Sequence, residues 1–278
     1  MSVKSAVLGT VSVATIAFSG AVLPGPARAE GPQVLVQSTT STQNSGLYDY
    51  MLPIYKKETG VTVNVVAVGT GQALKNGMNC DGDMLVVHAK SAELKFVKDG
   101  YGVDRHDLMY NDFVIVGPAS DPAGIKGMAD VEAALKKIVA KKALFASRGD
   151  DSGTNRAEMR LWKAAGIDPK TGSGGWYRET GSGMGATLNA SVGMGAYTLT
   201  DRSTWISFKN KGDFGIDVQG DPRLFNQYGV MLINPKRCPS VKAKLATQFE
   251  DWLLSKHGQA VIAAYHVDGQ QLFFPNPK

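Results

Sequence analysis

Residues 147–154 read Ser-Arg-Gly-Asp-Asp-Ser-Gly-Thr, and two chemistries fit the run. The order Gly-Asp-x-Ser-Gly is like the surroundings of a serine nucleophile in a secreted protease. An arginine in a loop of glycines and hydroxyls makes instead a pocket for an anion, because guanidinium is a permanent planar cation with a fork of donors. The setting decides between them. Residues 143–147 (Ala-Leu-Phe-Ala-Ser) have the apolar run of a buried strand, and 154–165 have the spacing of a helix. The loop therefore joins a strand end to a helix start. In an open α/β sheet ligands sit outside the carboxyl ends of strands, where helix N-termini present free N–H groups and the positive end of the dipole.

The same arrangement recurs. Residues 34–37 run into Ser38-Thr39-Thr40-Ser41-Thr42, 61–68 into Gly69-Thr70-Gly71-Gln72, and 176–180 into Gly181-Ser182-Gly183-Met184-Gly185. One such loop is ordinary helix capping. Four of them, one carrying Arg148, favour a shared anion site. The protease reading needs a serine directly after the aspartate and a histidine oriented by a carboxylate. Here two aspartates precede Ser152, and Thr154 stands where a glycine belongs. Of His88, His106, His257 and His266, only His88, at a strand end, is a conceivable base. A hydrolase using Ser152 stays as the distant alternative, and Asp150 and Asp151 are expected to cap the following helix and orient Arg148.

Outward from these loops the chain alternates. Strands are expected at 34–37, 61–68, 83–87, 112–117, 143–147, 176–180, 196–200, 205–208 and 229–234. Helices are expected at 47–59 (closed by Gly60), 71–78, 89–99, 128–142, 154–165, 186–192, 240–255 and 258–264. Alternation of this kind means α/β layers on largely parallel sheets.

The first 29 residues read as something else. One charge at Lys4, a weakly apolar run from Ala6 to Leu23, and Ala27-Arg28-Ala29 before Glu30 make a secretory signal peptide, cleaved after Ala29. The chain carries a formal charge of +5, and removing Lys4 and Arg28 leaves +3 over 249 residues. The densest basic cluster, Lys136, Lys137, Lys141 and Lys142, reads as a solvated helix face rather than a nucleic-acid surface. Four scattered histidines and two lone cysteines have no metal-ligand spacing. Cys80 and Cys238 can form one disulfide in an oxidising compartment or remain two buried thiols.

Several stretches carry a resemblance. Ser-Thr-Thr-Ser-Thr-Gln-Asn-Ser-Gly-Leu (38–47), Val-Gly-Thr-Gly-Gln-Ala-Leu (68–74), Asp-Gly-Asp-Met-Leu-Val-Val-His-Ala (81–89), Met-Tyr-Asn-Asp-Phe-Val-Ile-Val-Gly-Pro (109–118), the 147–154 run, Ala-Tyr-Thr-Leu-Thr-Asp-Arg (196–202) and Val-Asp-Gly-Gln-Gln-Leu-Phe-Phe-Pro (267–275) closely resemble the tungstate-binding periplasmic proteins of the tungstate ABC transporter. The likeness runs from Val34 to Pro275. It implies a type II periplasmic-binding-protein fold, with two α/β lobes joined by two crossover strands and a ligand in the cleft between them. Lobe one would be residues 30–113 plus 229–278, and lobe two 114–228. Both cysteines then fall in lobe one, which favours the disulfide.

The resemblance also implies an oxyanion pocket made by Ser38, Thr39, Thr40 and Ser41 together with Arg148 and Thr154. Ser38 stands where the family usually has threonine, so a hydroxyl is kept. The loop argument adds Thr70, Gly71, Ser152, Ser182, Gly183 and Met184. The expected function is non-covalent capture of tungstate, molybdate second, by an exported monomer that serves a membrane permease, with no cofactor and no protein-bound metal. Tungstate carries no proton at neutral pH, so its pocket should present donors only. Phosphate keeps a proton and needs an acceptor too, which Asp150 or Asp151 could supply, and it is the alternative ligand.

Overall fold

The computed structural model describes residues 31–278; the expected signal peptide lies outside the described residues. The first half of the chain reads β1 (Gln33–Thr39), α1 (Thr40–Asn44), α2 (Leu47–Thr59), β2 (Thr62–Val68), α3 (Thr70–Met78), β3 (Met84–Val87), α4 (Lys90–Lys98) and β4 (Gly102–Gly117). β1 lies between β2 and β3, parallel to both. α2 ends at Gly60, whose left-handed φ of 72° lets its N–H close on the Lys56 carbonyl.

The second half begins with α5 (Val131–Lys141), β5 (Phe145–Ser147), α6 (Gly153–Ala164), β6 (Tyr177–Glu179), α7 (Met184–Met194) and β7 (Tyr197–Asp201). β5 is parallel to both β6 and β7. Next come α8 (Arg202–Ser207), β8 (Gly215–Val218), β9 (Phe225–Ile233), α9 (Ala243–Leu254) and α10 (Lys256–Ala264).

The strand expected at 205–208 is a correction: Trp205 and Ile206 belong to α8. Asp201 is the reason. Its carboxylate accepts the Thr204 N–H at 2.9 Å and caps a helix there, a stronger local signal than the apolar pair. The parallel pattern also has limits. β9 is antiparallel to β3 and to β4, and β4 is antiparallel to β7 and β8.

β4 changes partners along its length. Gly102 to Asp112 pair with β9, and Phe113 to Val116 pair with β7. It thus joins the group β2-β1-β3-β9 to the group β7-β5-β6. β9 starts at Phe225, opposite Asp112, so the chain leaves one strand group and returns to the other at one level.

The apolar residues form three cores. One gathers Val34, Val36, Tyr55, Val86, Val230, Phe249 and Ile262, and also takes in Met184, Leu188 and Trp205 from the second half; a second gathers Ile115, Leu135, Phe145, Leu161, Trp162 and Tyr177. A third lies under α3 and α4 around Leu85, Phe96 and Met231, and includes Cys238. A disulfide joins Cys80 to Cys238 across 158 residues of sequence, with Cα atoms 5.3 Å apart. Closing so long a loop removes much unfolded-state entropy. Replacing both cysteines by alanine is expected to lower stability by about 3 kcal/mol, measured by denaturant unfolding with and without reductant. Reductant should then affect only the parent chain. No helix among the described residues is long and apolar enough to cross a membrane.

Candidate anion-binding site

Four loops at strand ends meet where the two strand groups face each other. Arg148 leaves the carboxyl end of β5 and is 1% exposed. Its Nη2 donates to Asp150 Oδ2 at 2.6 Å and to Thr40 Oγ1 at 3.2 Å, and its Nη1 to Ser41 Oγ at 3.4 Å. Asp150 also accepts the Ser152 N–H on its other oxygen. The carboxylate therefore holds the guanidinium and the turn at once. Capping of α6 falls to Ser152, whose Oγ accepts the Asn155 N–H, not to the aspartates. Asp151 pairs with Arg156 and accepts the Gly71 N–H on its carbonyl.

The loops approach too closely for side chains at the glycines. A Cβ at Gly71 would lie 2.8 Å from the Asp151 carbonyl oxygen, and one at Gly153 would lie 2.6 Å from the His88 carbonyl oxygen. The Met184 N–H donates to Thr40 Oγ1 at 3.3 Å, and Thr204 Oγ1 to the Ser41 carbonyl. The 38–42 segment is thus gripped by residues more than a hundred positions away.

The donor inventory defines the chemistry. Arg148 Nε, Thr70 Oγ1 and Thr154 Oγ1 are buried and have no hydrogen-bond partner. Thr40 Oγ1 and Ser41 Oγ accept from Arg148, which leaves their own hydrogens without an acceptor. α3 and α7 begin at Gly69 and Gly183, neither of which supplies a side-chain cap. Leaving a buried donor unpaired costs about 1–3 kcal/mol, so natural structures rarely tolerate one without a role. Several such donors on converging loops call for a ligand that brings acceptors only.

Not every residue of the sequence reading faces this way. Ser38 donates its hydroxyl to the Val86 carbonyl at 2.8 Å and takes a bond from Tyr48 at 2.6 Å, so its hydrogen is committed beneath the site. Thr39 caps α1, accepting the Thr42 N–H. The Ser182 hydroxyl donates to Thr180 Oγ1. The Gly71 N–H is occupied by Asp151. Thr40, Ser41, Arg148, Gly183 and Met184 are in contact, Ser152 lies against Gly69, and Thr70 and Thr154 are buried at the first turns of α3 and α6.

Sequence reasoning missed a buried polar chain beside them. His88 Nδ1 bonds Asn226 Oδ1 at 3.0 Å, Asn226 Nδ2 bonds Asn111, Asn111 Nδ2 bonds Ser203, and Ser203 Oγ bonds Asp201. Asn111 is on β4 and Asn226 on β9, so the chain passes through both joining strands. Nothing in the spacing of two isolated asparagines announces it. Ser152 makes no hydrogen bond to a histidine among the described residues, and the Nε2 of His88 is unpartnered.

Burial drives the His88 pKa down to about 4, against the opposing pull of Asp201 and the Asn226 hydrogen bond, and with a small further push from Arg148. The neutral ring therefore belongs to the fold. The unfolded chain takes up the proton below about pH 6.5 and the folded chain does not. His88 thus contributes stability that is present above pH 6.5 and lost as pH falls towards 4. Denaturant midpoints at pH 7 and pH 5 should show this loss, and His88→Asn should flatten the profile.

The donor-lined cleft between two α/β halves defines a ligand-capture protein rather than an enzyme, and relatives agree. A family model described as a PBP superfamily domain matches residues 26–257, and the chain belongs to that superfamily. It is 47% identical over 249 residues, 87% of this chain and 85% of the relative, to the tungstate-binding protein TupA of Peptoclostridium acidaminophilum. The structure is similar to that of the tungstate-binding protein TupA from Desulfovibrio alaskensis G20, with a TM-score of 0.73 and 47% identity over 89% of this chain and all of that one. It is also similar to the tungstate ABC transporter structure from Geobacter sulfurreducens, with a TM-score of 0.76 and 50% identity over 84% of this chain and 98% of that one.

Proposed function

We propose that this protein captures tungstate, with molybdate as second ligand, and hands it to an ABC transporter. The observation that carries the reading is the set of unpartnered buried donors, Arg148 Nε, Thr70 Oγ1 and Thr154 Oγ1, beside a carboxylate, Asp150, each of whose oxygens already accepts one hydrogen bond. A dianion without protons satisfies such a set. Phosphate brings a proton that these donors cannot accept, and the nearby carboxylate, Asp150, is turned towards Arg148 and the Ser152 N–H. The names of the relatives support tungstate over phosphate.

The ligand-binding set is Thr40, Ser41, Thr70, Arg148 and Thr154 with the N-terminal backbone of α7, while Ser38, Thr39 and Ser182 brace it. Lobe one comprises residues 31–113 plus 229–278 of the described chain, and lobe two 114–228. The partner change along β4 at Asp112 and Phe113 supports that division. Each lobe supplies part of the donor set, so ligand binding closes the lobes about β4 and β9, a hinge transition. The protein works as a monomer in the periplasm, exported by its first 29 residues, and its closed form is what an inner-membrane permease meets.

Isothermal titration of ligand-stripped protein tests this. Tungstate and molybdate should bind one to one, with sulfate and phosphate silent. Preference for phosphate would overturn the donor-only pocket, and silence towards all four would remove the assignment.

A further inference from the structure

A second cavity adjoins the oxyanion site, from which Gly153 and His88 separate it. It encloses about 470 Å³, within the range of small-molecule pockets, and neither Arg148 nor any hydroxyl of the oxyanion set lines it. Its floor is Phe113 of β4 with Phe225 and Gln227 of β9. One wall is the start of α4 at Lys90; the other is α6 with Arg156 and Arg160.

Three cations face this space and two carboxylates answer them. Lys90 pairs with Asp107 at 3.1 Å and Arg156 with Asp151 at 2.8 Å. Arg160 has no ion pair and no hydrogen bond among the described residues. It stands four residues from Arg156 on the same helical face, a like-charge spacing that destabilises an isolated helix. Burial, the only influence on it, lowers its pKa. Arg160 is exposed at the rim of the cleft, and a guanidinium there without a counter-ion is free to grip an oxyanion with its donor fork.

The apolar part of the lining is Ala89, Phe113, Ala157 and Phe225. Phe225 is 49% exposed and rests on Tyr110, ring centres 5.2 Å apart, which in turn stacks on Phe274 at 5.3 Å. This leaves an aromatic face open beside the unpaired cation. Inorganic oxyanions have nothing to place there.

We propose that this cleft is a second binding site, for a small organic carboxylate with a flat apolar body, its carboxylate on Arg160 and its body on Phe225. Such a ligand touches both walls and bridges α4 and α6 without entering the oxyanion pocket.

Benzoate is the probe, titrated into the ligand-free, isotope-labelled protein by amide NMR. Benzoate should shift the amides of Arg156, Arg160 and Gln227, and Arg160→Ala should weaken its binding by about tenfold or more. Benzamide, which has the ring without the charge, and acetate, which has the charge without the ring, should each bind more weakly. Arg160→Ala should melt as the parent does, because Arg160 makes no bond to lose. Arg148→Gln, which alters the oxyanion pocket and not this cleft, should leave the benzoate shifts of the ligand-free protein in place. Absence of shifts around the cleft, equal binding by Arg160→Ala, or loss of benzoate binding in Arg148→Gln would each overturn the proposal. The benzoate titration uses no tungstate, so the site stands or falls independently of the proposed function.

Discussion

Replacing Arg148 by glutamine is expected to weaken tungstate binding by about a hundredfold or more. Two losses combine. The Nε–H donor, buried and unpartnered, disappears together with the charge that makes its bond to an oxyanion strong. Asp150 then keeps its negative charge at 16% side-chain exposure, without the guanidinium 2.6 Å away, and faces a dianion. Truncating one member of a buried charge pair costs about 2–5 kcal/mol, or roughly thirtyfold to several thousandfold in affinity. Adding Asp150→Asn separates the two losses. The double variant should recover part of the affinity, by removing the repulsion, but not the share that rested on Arg148. Calorimetric titration of the three proteins reads both shares. An unchanged dissociation constant in Arg148→Gln would remove Arg148 from the site.

The Gly153→Ala variant should show the reverse of its usual effect. Gly153 is the first residue of α6, and glycine to alanine in a helix ordinarily stabilises by about 0.5–1 kcal/mol. Here the added Cβ would meet the His88 carbonyl oxygen at 2.6 Å and the His88 ring at 2.9 Å. The ring cannot retreat, because it stacks on Tyr228 at 4.8 Å and is tied to Asn226. α6 would be pushed away from β3, and Thr154 with it. Affinity for tungstate is expected to fall by about tenfold or more, an overpacking effect of some 1–3 kcal/mol. If the lobes part without ligand, the clash exists only in the closed form, and the ligand-free protein should melt no lower than its parent. Melting temperature and affinity measured on the same sample distinguish the two cases; affinity equal to that of the parent would refute the contact's role in closure.

The site was legible in the sequence to the extent that backbone geometry produced it. The strand-to-helix loops at 38–42, 69–72, 147–154 and 181–185 could be found because strand periodicity, glycine and hydroxyl residues mark such places locally. What each hydroxyl does there was not legible. Ser38 and Thr40 are the same chemistry two residues apart, yet one donates into the strand beneath and the other meets Arg148 and Met184. That difference depends on where β3 and α7 sit. The role of Asp150 had the same limit: orienting Arg148 followed from its position two residues on, but its bond to the Ser152 N–H depends on how the turn folds. The helix at Trp205 was misread because its cap, Asp201, also ends a strand. The buried chain from His88 to Asp201 unites residues from β4, β7, β9, α8 and the turn after β3, and no window of sequence contains it.

The pairing of Arg148 with Asp150 has a consequence for ionic strength. The guanidinium in contact with the anion is already balanced by a carboxylate, so the pocket's formal charges cancel before ligand arrives. Attraction at a distance is therefore weak, and what would hold the anion in the proposed site is short-range: the guanidinium donors, hydroxyls and amides that act at contact. Interactions of that kind lie inside the Debye length and are little screened. Binding should change little between dilute buffer and brine, and an anion leaving for the permease would leave no bare cation behind.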